Sequence, residues 1–481
     1  MRAASNRFVR RAAAAAAACA ASLAIAQGPA HPATSEALAP YDDFHPHALL
    51  AWHPEKRAML VRARLHGTQQ VHLVEQPGAP PRPLTDLADP VSYASWPPSA
   101  RGDAFVFTRG SGGNDVDRLY RQEVATGELS AVSPAGERVV SVAVSRDGKR
   151  LAYAAQRVGG DAPVTTVHIV ERVANGAGRL RAPDRVLARL AGHGWEDFHF
   201  SGDARRLVFV EHRSASDRRL WLMDAATGRH WRVTRVDARH PVAYGNPRFS
   251  ADGRALFATS DRDSEFKRLV RIALPGGAER ALTPKLAHDV ESFEVSFDAG
   301  RIAFVDEEDG ADVLRFLDLA TLAELPRPPL VPGVIRDLAW RPHSREIGFD
   351  VASARTAGDV FSYDLDTNRL TRWTNGNSPA LNTAAFPEPE AIRWKSFDGR
   401  EIHGLYYRPP ARFTGKRPVL VSIPGGAGSQ ARAGFIGRNN YLLNELGIAI
   451  VRPNVRGSPG YGKTFARLGE GGKRPDAVKD I

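Results

Sequence analysis

Phe198-His199-Phe200-Ser201-Gly202-Asp203, then Leu207-Val208-Phe209-Val210, Leu220-Trp221-Leu222-Met223-Asp224, Ala226-Thr227-Gly228 and Trp231-Arg232-Val233-Thr234, is the stretch on which the fold turns. In order it reads strand, polar turn, strand, strand, tight turn, strand. The apolar runs are short and rich in β-branched and aromatic residues, and turn-forming residues bound them. Gly228 supplies the positive φ that the last turn needs.

The unit recurs. Its copies open at Leu49-Leu50-Ala51-Trp52-His53-Pro54, Tyr93-Ala94-Ser95-Trp96-Pro97-Pro98, Val142-Ala143-Val144-Ser145-Arg146-Asp147-Gly148, Asn246-Pro247-Arg248-Phe249-Ser250-Ala251-Asp252-Gly253, Phe293-Glu294-Val295-Ser296-Phe297-Asp298 and Leu338-Ala339-Trp340-Arg341-Pro342. The anchors Trp52, Trp96, Val144, Phe200, Phe249, Val295 and Trp340 stand 44, 48, 56, 49, 46 and 45 residues apart. Four short strands per period of this size make a propeller blade, and such a ring leaves no long free edge. The sequence therefore predicts an all-β seven-bladed β-propeller over 41–387, with the anchors packed between blades. Unrelated hairpins in a sandwich would not repeat so evenly.

From Ala391 the pattern changes. Ile392-Arg393-Trp394-Lys395-Ser396 and Ile402-His403-Gly404-Leu405-Tyr406-Tyr407 flank Phe397-Asp398-Gly399-Arg400, a hairpin signal. Pro418 to Ile423 reads as a buried strand, Asn439 to Leu446 as a helix stopped by Gly447, and Ile448 to Val451 as a second strand. Strand, helix and strand with short joins predict a parallel pairing in an α/β domain.

At the other end, Arg2, Arg7, Arg10 and Arg11 precede the apolar run Ala12–Ala26. This is the layout of a signal peptide over 1–26, with export to the periplasm or beyond as the expectation. The run is short for a bilayer span. Acylation of Cys19, the only cysteine, has a poor lead-in. The chain of 481 residues is 43% hydrophobic and 25% charged, the composition of a folded protein. Its net charge of +11 includes those four arginines, and no run of five basic residues exists for a nucleic acid to follow. No partner of that kind, no membrane contact after signal removal and no cofactor is expected, and nothing in the sequence sets the oligomeric state.

Ser396-Phe397-Asp398-Gly399-Arg400, the pair Gly425-Gly426 after a strand, and Asn454-Val455-Arg456-Gly457-Ser458-Pro459-Gly460-Tyr461-Gly462 resemble the start of the catalytic domain of the prolyl oligopeptidase family. These serine peptidases are α/β-hydrolases with a β-propeller in front. The resemblance implies that 391–481 is the N-terminal part of such a domain and that short peptides are the substrates. Gly426 N–H becomes the oxyanion-donor candidate, since a glycine pair lets backbone approach a ligand; a plain tight turn is the alternative. Arg456 becomes the substrate-binding candidate, with a structural ion pair as the equal alternative.

The sequence departs from the family at Pro424 and Ala427, where His and Pro are usual. It holds no Gly-x-Ser-x-Gly elbow, and Ser429 and Ser458 lack one. Nucleophile, acid and base are thus expected beyond Ile481, which predicts an inactive chain with the strand ending at Ile423 left as an apolar edge. A non-catalytic binding propeller is the alternative. His403 reads as a surface residue of the hairpin, and His45, His47 and His53 as a solvent-facing Pro-rich loop. No metal motif is present, and Asp306-Glu307-Glu308-Asp309 reads as an acidic blade loop or, less simply, a clamp for a peptide amino terminus.

Overall fold

The computed structural model describes residues 32–96, 101–112, 114–157, 163–171, 185–237, 239–424 and 429–481. The signal segment with Cys19, and Gly426, lie outside them. Within them, seven four-stranded antiparallel sheets follow one another at 48–83, 91–131, 137–191, 195–232, 244–281, 290–325 and 333–372. These are blades 1 to 7. An eighth, mixed sheet begins at Glu390.

Alternation explains why the blades stack. In Leu207-Val208-Phe209-Val210 of blade 4, Leu207 and Phe209 enter the core shared with blade 3, while Val208 and Val210 enter the core shared with blade 5. Both faces of the strand are buried, so period 2 produces an unbroken apolar run rather than an apolar and polar alternation. At about 1.5–3 kcal/mol per buried large side chain, these seams are the main source of stability.

Each blade uses four consecutive strands, so no strand is shared across the junction of blades 1 and 7. Side chains close it instead. Trp52 and Trp373 meet edge to face at 5.4 Å, and Trp52 Nε1 donates to the Ala339 carbonyl at 2.9 Å. Arg57 forks onto the buried Glu346 and lies 5.0 Å from the Trp373 ring centroid. Two of the expected solvent-facing histidines are covered by seams: His47 lies at this closure, buried 3.6 Å from Asp359, and His53 is buried in the next seam, between blades 1 and 2, against Trp96. Only His45 is exposed.

The anchors end, or directly follow, the first strand of each blade, which lies nearest the axis. Trp52 and Trp96 are buried between blades as predicted. Val144, Phe200, Phe249 and Val295 also pack against the inter-blade clusters, but they are half-buried because their other side lines an axial cavity of about 510 Å³. A residue closing an inner strand can touch both the seam and the axis, which periodicity does not reveal. Each of the Ser-x-Asp turns that follow is a small cap. Ser145, Ser201, Ser250 and Ser296 donate to Asp147, Asp203, Asp252 and Asp298 at 2.5–2.6 Å and accept the N–H of the next strand's first residues.

In the last sheet the hairpin strands Glu390–Lys395 and Glu401–Tyr407 are followed in space by Ala449–Asn454, antiparallel to the hairpin, and then Val419–Val421, parallel to it. The helix Asn439–Asn444 joins the two parallel-paired strands, and Gly447 at φ +63° ends the turn. Leu443 packs with Leu405, Tyr407 and Ile450 beneath it. The strand predicted as buried is not buried: Val419, Leu420, Val421 and Ile423 are exposed because Val419–Val421 is the sheet's edge. A helix at Pro32–Asp42 leads the propeller. Its end packs on the second unit, where Tyr41 donates to Glu445 at 2.6 Å and Phe44 meets Phe435 at 4.5 Å.

Candidate functional site

The glycine-flanked motif Asn454–Gly462 starts at the carboxyl end of the central strand Ala449–Asn454, where backbone leaves the sheet and side chains converge. Asn454 is fully buried and clamps Ala431 from both sides: its Oδ1 accepts the Ala431 N–H at 2.6 Å and its Nδ2 donates to the Ala431 carbonyl at 3.1 Å. The same Nδ2 donates to the Tyr461 hydroxyl at 2.8 Å. Asn454 thereby fixes the segment that follows 425–428.

That segment meets blade 6. Gln430 donates to Glu307 at 2.8 Å, Arg432 pairs with the buried Asp312, and the N–H of Ala433 donates to the Gly310 carbonyl at 2.7 Å. Burial raises the Glu307 carboxyl above its ordinary range, against the pull of Gln430 and the Gly310 N–H. Burial raises Asp312 to about 7, opposed by Arg432. Gly460 must be glycine: at φ +88°, a Cβ there would come within 1.9 Å of a Glu307 oxygen. Further along, Glu265 of blade 5 accepts from Thr464 N–H and hydroxyl at 2.6 and 2.9 Å.

The acidic run 306–309 is therefore engaged within the protein. Asp306 and Glu308 hold Arg315, Glu307 holds Gln430, and Asp309 holds Arg393. His403 is at this interface rather than on the surface. It is half-buried against Tyr461 at 4.4 Å and 3.6 Å from Asp309, and burial lowers its pKa.

Arg456, proposed for substrate, lies buried in an ion-pair network. Its Nε and Nη2 donate to Asp480 at 3.0 and 2.7 Å, its Nη1 and Nη2 to Asp398 at 3.1 Å, and its Nη2 also to Ser396 at 3.3 Å. Every guanidinium nitrogen has a protein acceptor, which is the ion-pair alternative left open by the sequence. Asn454, two residues earlier in the same motif, is the residue that sequence reading passed over.

On the propeller axis, a cavity of about 520 Å³ is lined by Ser92, Thr108, Asp117, Glu196, Asp197 and Asn246, among others. Asp197 is 3.0 Å from His199 Nε2, which is 2.6 Å from Arg248; Arg248 forks onto Glu294. Burial opposes ionisation of Asp197, yet its contacts with His199, Arg248 and Arg218 hold its carboxyl at about 2. The axial cavity is thus lined by charged side chains that hydrogen-bond to one another.

A propeller set on a hydrolase-like sheet has known counterparts. The chain is 22% identical over 404 residues to dipeptidyl aminopeptidase BIII of Pseudoxanthomonas mexicana, covering 79% of this chain and 55% of that protein. It is a relative of the prolyl oligopeptidase-family peptidases. A second relative, prolyl endopeptidase of Elizabethkingia meningoseptica, is 22% identical over 294 residues, 59% of this chain and 39% of the other. The fold matches a solved prolyl endopeptidase at a TM-score of 0.77 with 15% identity, over 94% of this chain and 68% of that one. Prolyl oligopeptidase B from Galerina marginata gives 0.77 with 14% identity, over 93% and 67%. No protein-family model matches the chain. The chain spans about half the length of the first of these relatives.

Proposed function

We propose that this chain is the propeller and the leading part of the catalytic domain of an exported serine peptidase of the prolyl oligopeptidase family that hydrolyses short peptides. The nucleophile, acid and base are supplied by residues after Ile481. The observation that carries the reading is the parallel-paired strand Val419–Val421: three apolar residues in a row at an open sheet edge. An α/β-hydrolase places the nucleophile's strand in its central sheet, and such an edge is where a further strand adds. The absence of any Gly-x-Ser-x-Gly among the 481 residues agrees with this assignment.

In this reading the axial cavity admits peptides, and the interface around Glu307, Gln430 and Tyr461 fixes the segment that begins just after the stretch holding the Gly426 candidate. Acyl-enzyme chemistry follows once serine and histidine are in place. The test is hydrolysis of peptidyl fluorogenic amides by the chain extended through its natural downstream codons, beside the 481-residue chain. Turnover by the longer protein alone supports the proposal; turnover by neither, with both folded, overturns it. Export is tested separately, by whether residues 1–26 carry a reporter out of the cytoplasm.

A further inference from the structure

We infer that His288, Asp306 and Glu308 form a binding site for a divalent transition-metal ion of the zinc or manganese class, at the seam between blades 5 and 6. Asp306 and Glu308 are two apart on the strand Arg301–Glu308 and so face the same side. His288 lies just before the strand Val290–Val295, whose Val290 is paired with Asp306. One donor atom from each residue lies within 4.8 Å of the other two. Among the described residues, this is the one group of three histidine, cysteine or acidic side chains so arranged.

An independent observation points to a ligand. Asp306 is fully buried, and its Oδ2 has no hydrogen-bond donor. A buried carboxylate oxygen left unpaired is costly. Arg315 donates to the other oxygen, Oδ1, at 2.7 Å and also holds an oxygen of Glu308. The arginine thus fixes both carboxylates and leaves Oδ2 turned toward His288 Nδ1, 3.9 Å away. Two carboxylates against one guanidinium leave a net negative charge at that point.

The donor set of one imidazole nitrogen and two carboxylate oxygens suits zinc or manganese, whereas calcium takes six to eight oxygens. Neighbouring ligands of a tetrahedral ion with ~2.1 Å bonds lie roughly 3.4 Å apart, so small side-chain rotations close the site. Phe266 packs on the His288 ring at 6.5 Å, which orients it, and the imidazole is 38% exposed, which gives an ion access from solvent.

The test is calorimetric titration of the untagged 481-residue chain with Zn²⁺, Mn²⁺ and Ca²⁺. One Zn²⁺ or Mn²⁺ site per chain is expected, weakened at least tenfold in His288→Ala and in Glu308→Gln and unchanged in His240→Ala, an exposed histidine elsewhere. No binding of either transition ion, or equal binding by wild type and Glu308→Gln, overturns the inference. Should the variants fail to fold, the wild type decides alone: Zn²⁺ must displace Mn²⁺ in the electron paramagnetic resonance spectrum, and failure to displace it overturns the site. None of these readouts depends on peptidase activity.

Discussion

Asp480 receives the Arg456 backbone N–H at 2.7 Å and the Nη2 of the same residue at 2.7 Å, and both side chains are buried. The pair ties the Asn454–Gly462 motif to the short helix Gly471–Asp480, and Ser396 and Asp398 join it to the hairpin. Removing Asp480 leaves the buried Arg456 with only the partly exposed Asp398 as counter-charge and its backbone N–H unpaired. Asp480→Ala is therefore expected to cost about 3–5 kcal/mol, and Ser396→Ala about 1 kcal/mol, in urea denaturation. Equal and small losses would show that the network is incidental.

Asp312 makes stability depend on pH. Burial raises its carboxyl to about 7 against the pull of Arg432, whereas an unfolded aspartate titrates at about 3.9. The folded protein holds the extra proton between those values, so this group's contribution declines as pH rises from about 4 to about 7. Asp312→Asn removes that decline. Relative to wild type the variant should gain stability with pH across this window, by no more than about 4 kcal/mol. Parallel profiles from urea melts at pH 4.5 and 7.5 would contradict it.

The repeat was legible because blade folding is local: the Ser-x-Asp turns and alternating strands carry their own instructions, so blade count and strand order followed from spacing. The charged interface was not. Glu307 meets Gln430, and Tyr41 meets Glu445, across separations of 123 and 404 residues, which no periodic pattern encodes. His47 and His53 misled for the same reason. They looked like loop residues beside prolines, but the seam of blades 1 and 7 covers His47 and that of blades 1 and 2 covers His53. Arg456 showed a chemical type without its partners, and Asp480 lies 24 residues away.

Ring closure without a shared strand puts weight on Trp373, which is fully buried with its Nε1 donating to Ser362 at 2.8 Å. Trp373→Ala should cost about 3–5 kcal/mol and speed amide exchange first in the strands on either side of the blade 1 and blade 7 seam. Trp231, 41% exposed on an outer strand, is the control. Truncating it should change stability by less than about 1 kcal/mol. Similar losses at both sites would place the closure elsewhere.

The open edge should make the 481-residue chain self-associate. Val419, Leu420, Val421 and Ile423 present apolar side chains beside unpaired backbone. Leu420→Lys is expected to lower association measured by light scattering at equal concentration. If scattering is unchanged, the edge is not what brings copies together.

The peptidase assignment is tested most directly by labelling with a fluorophosphonate probe, which reacts only with an activated serine. The account predicts one probe adduct by mass on the chain extended past Ile481, at a serine in the added sequence, and none on the 481-residue chain. An adduct at Ser429 or Ser458, or a folded extended chain that takes no label, would contradict it.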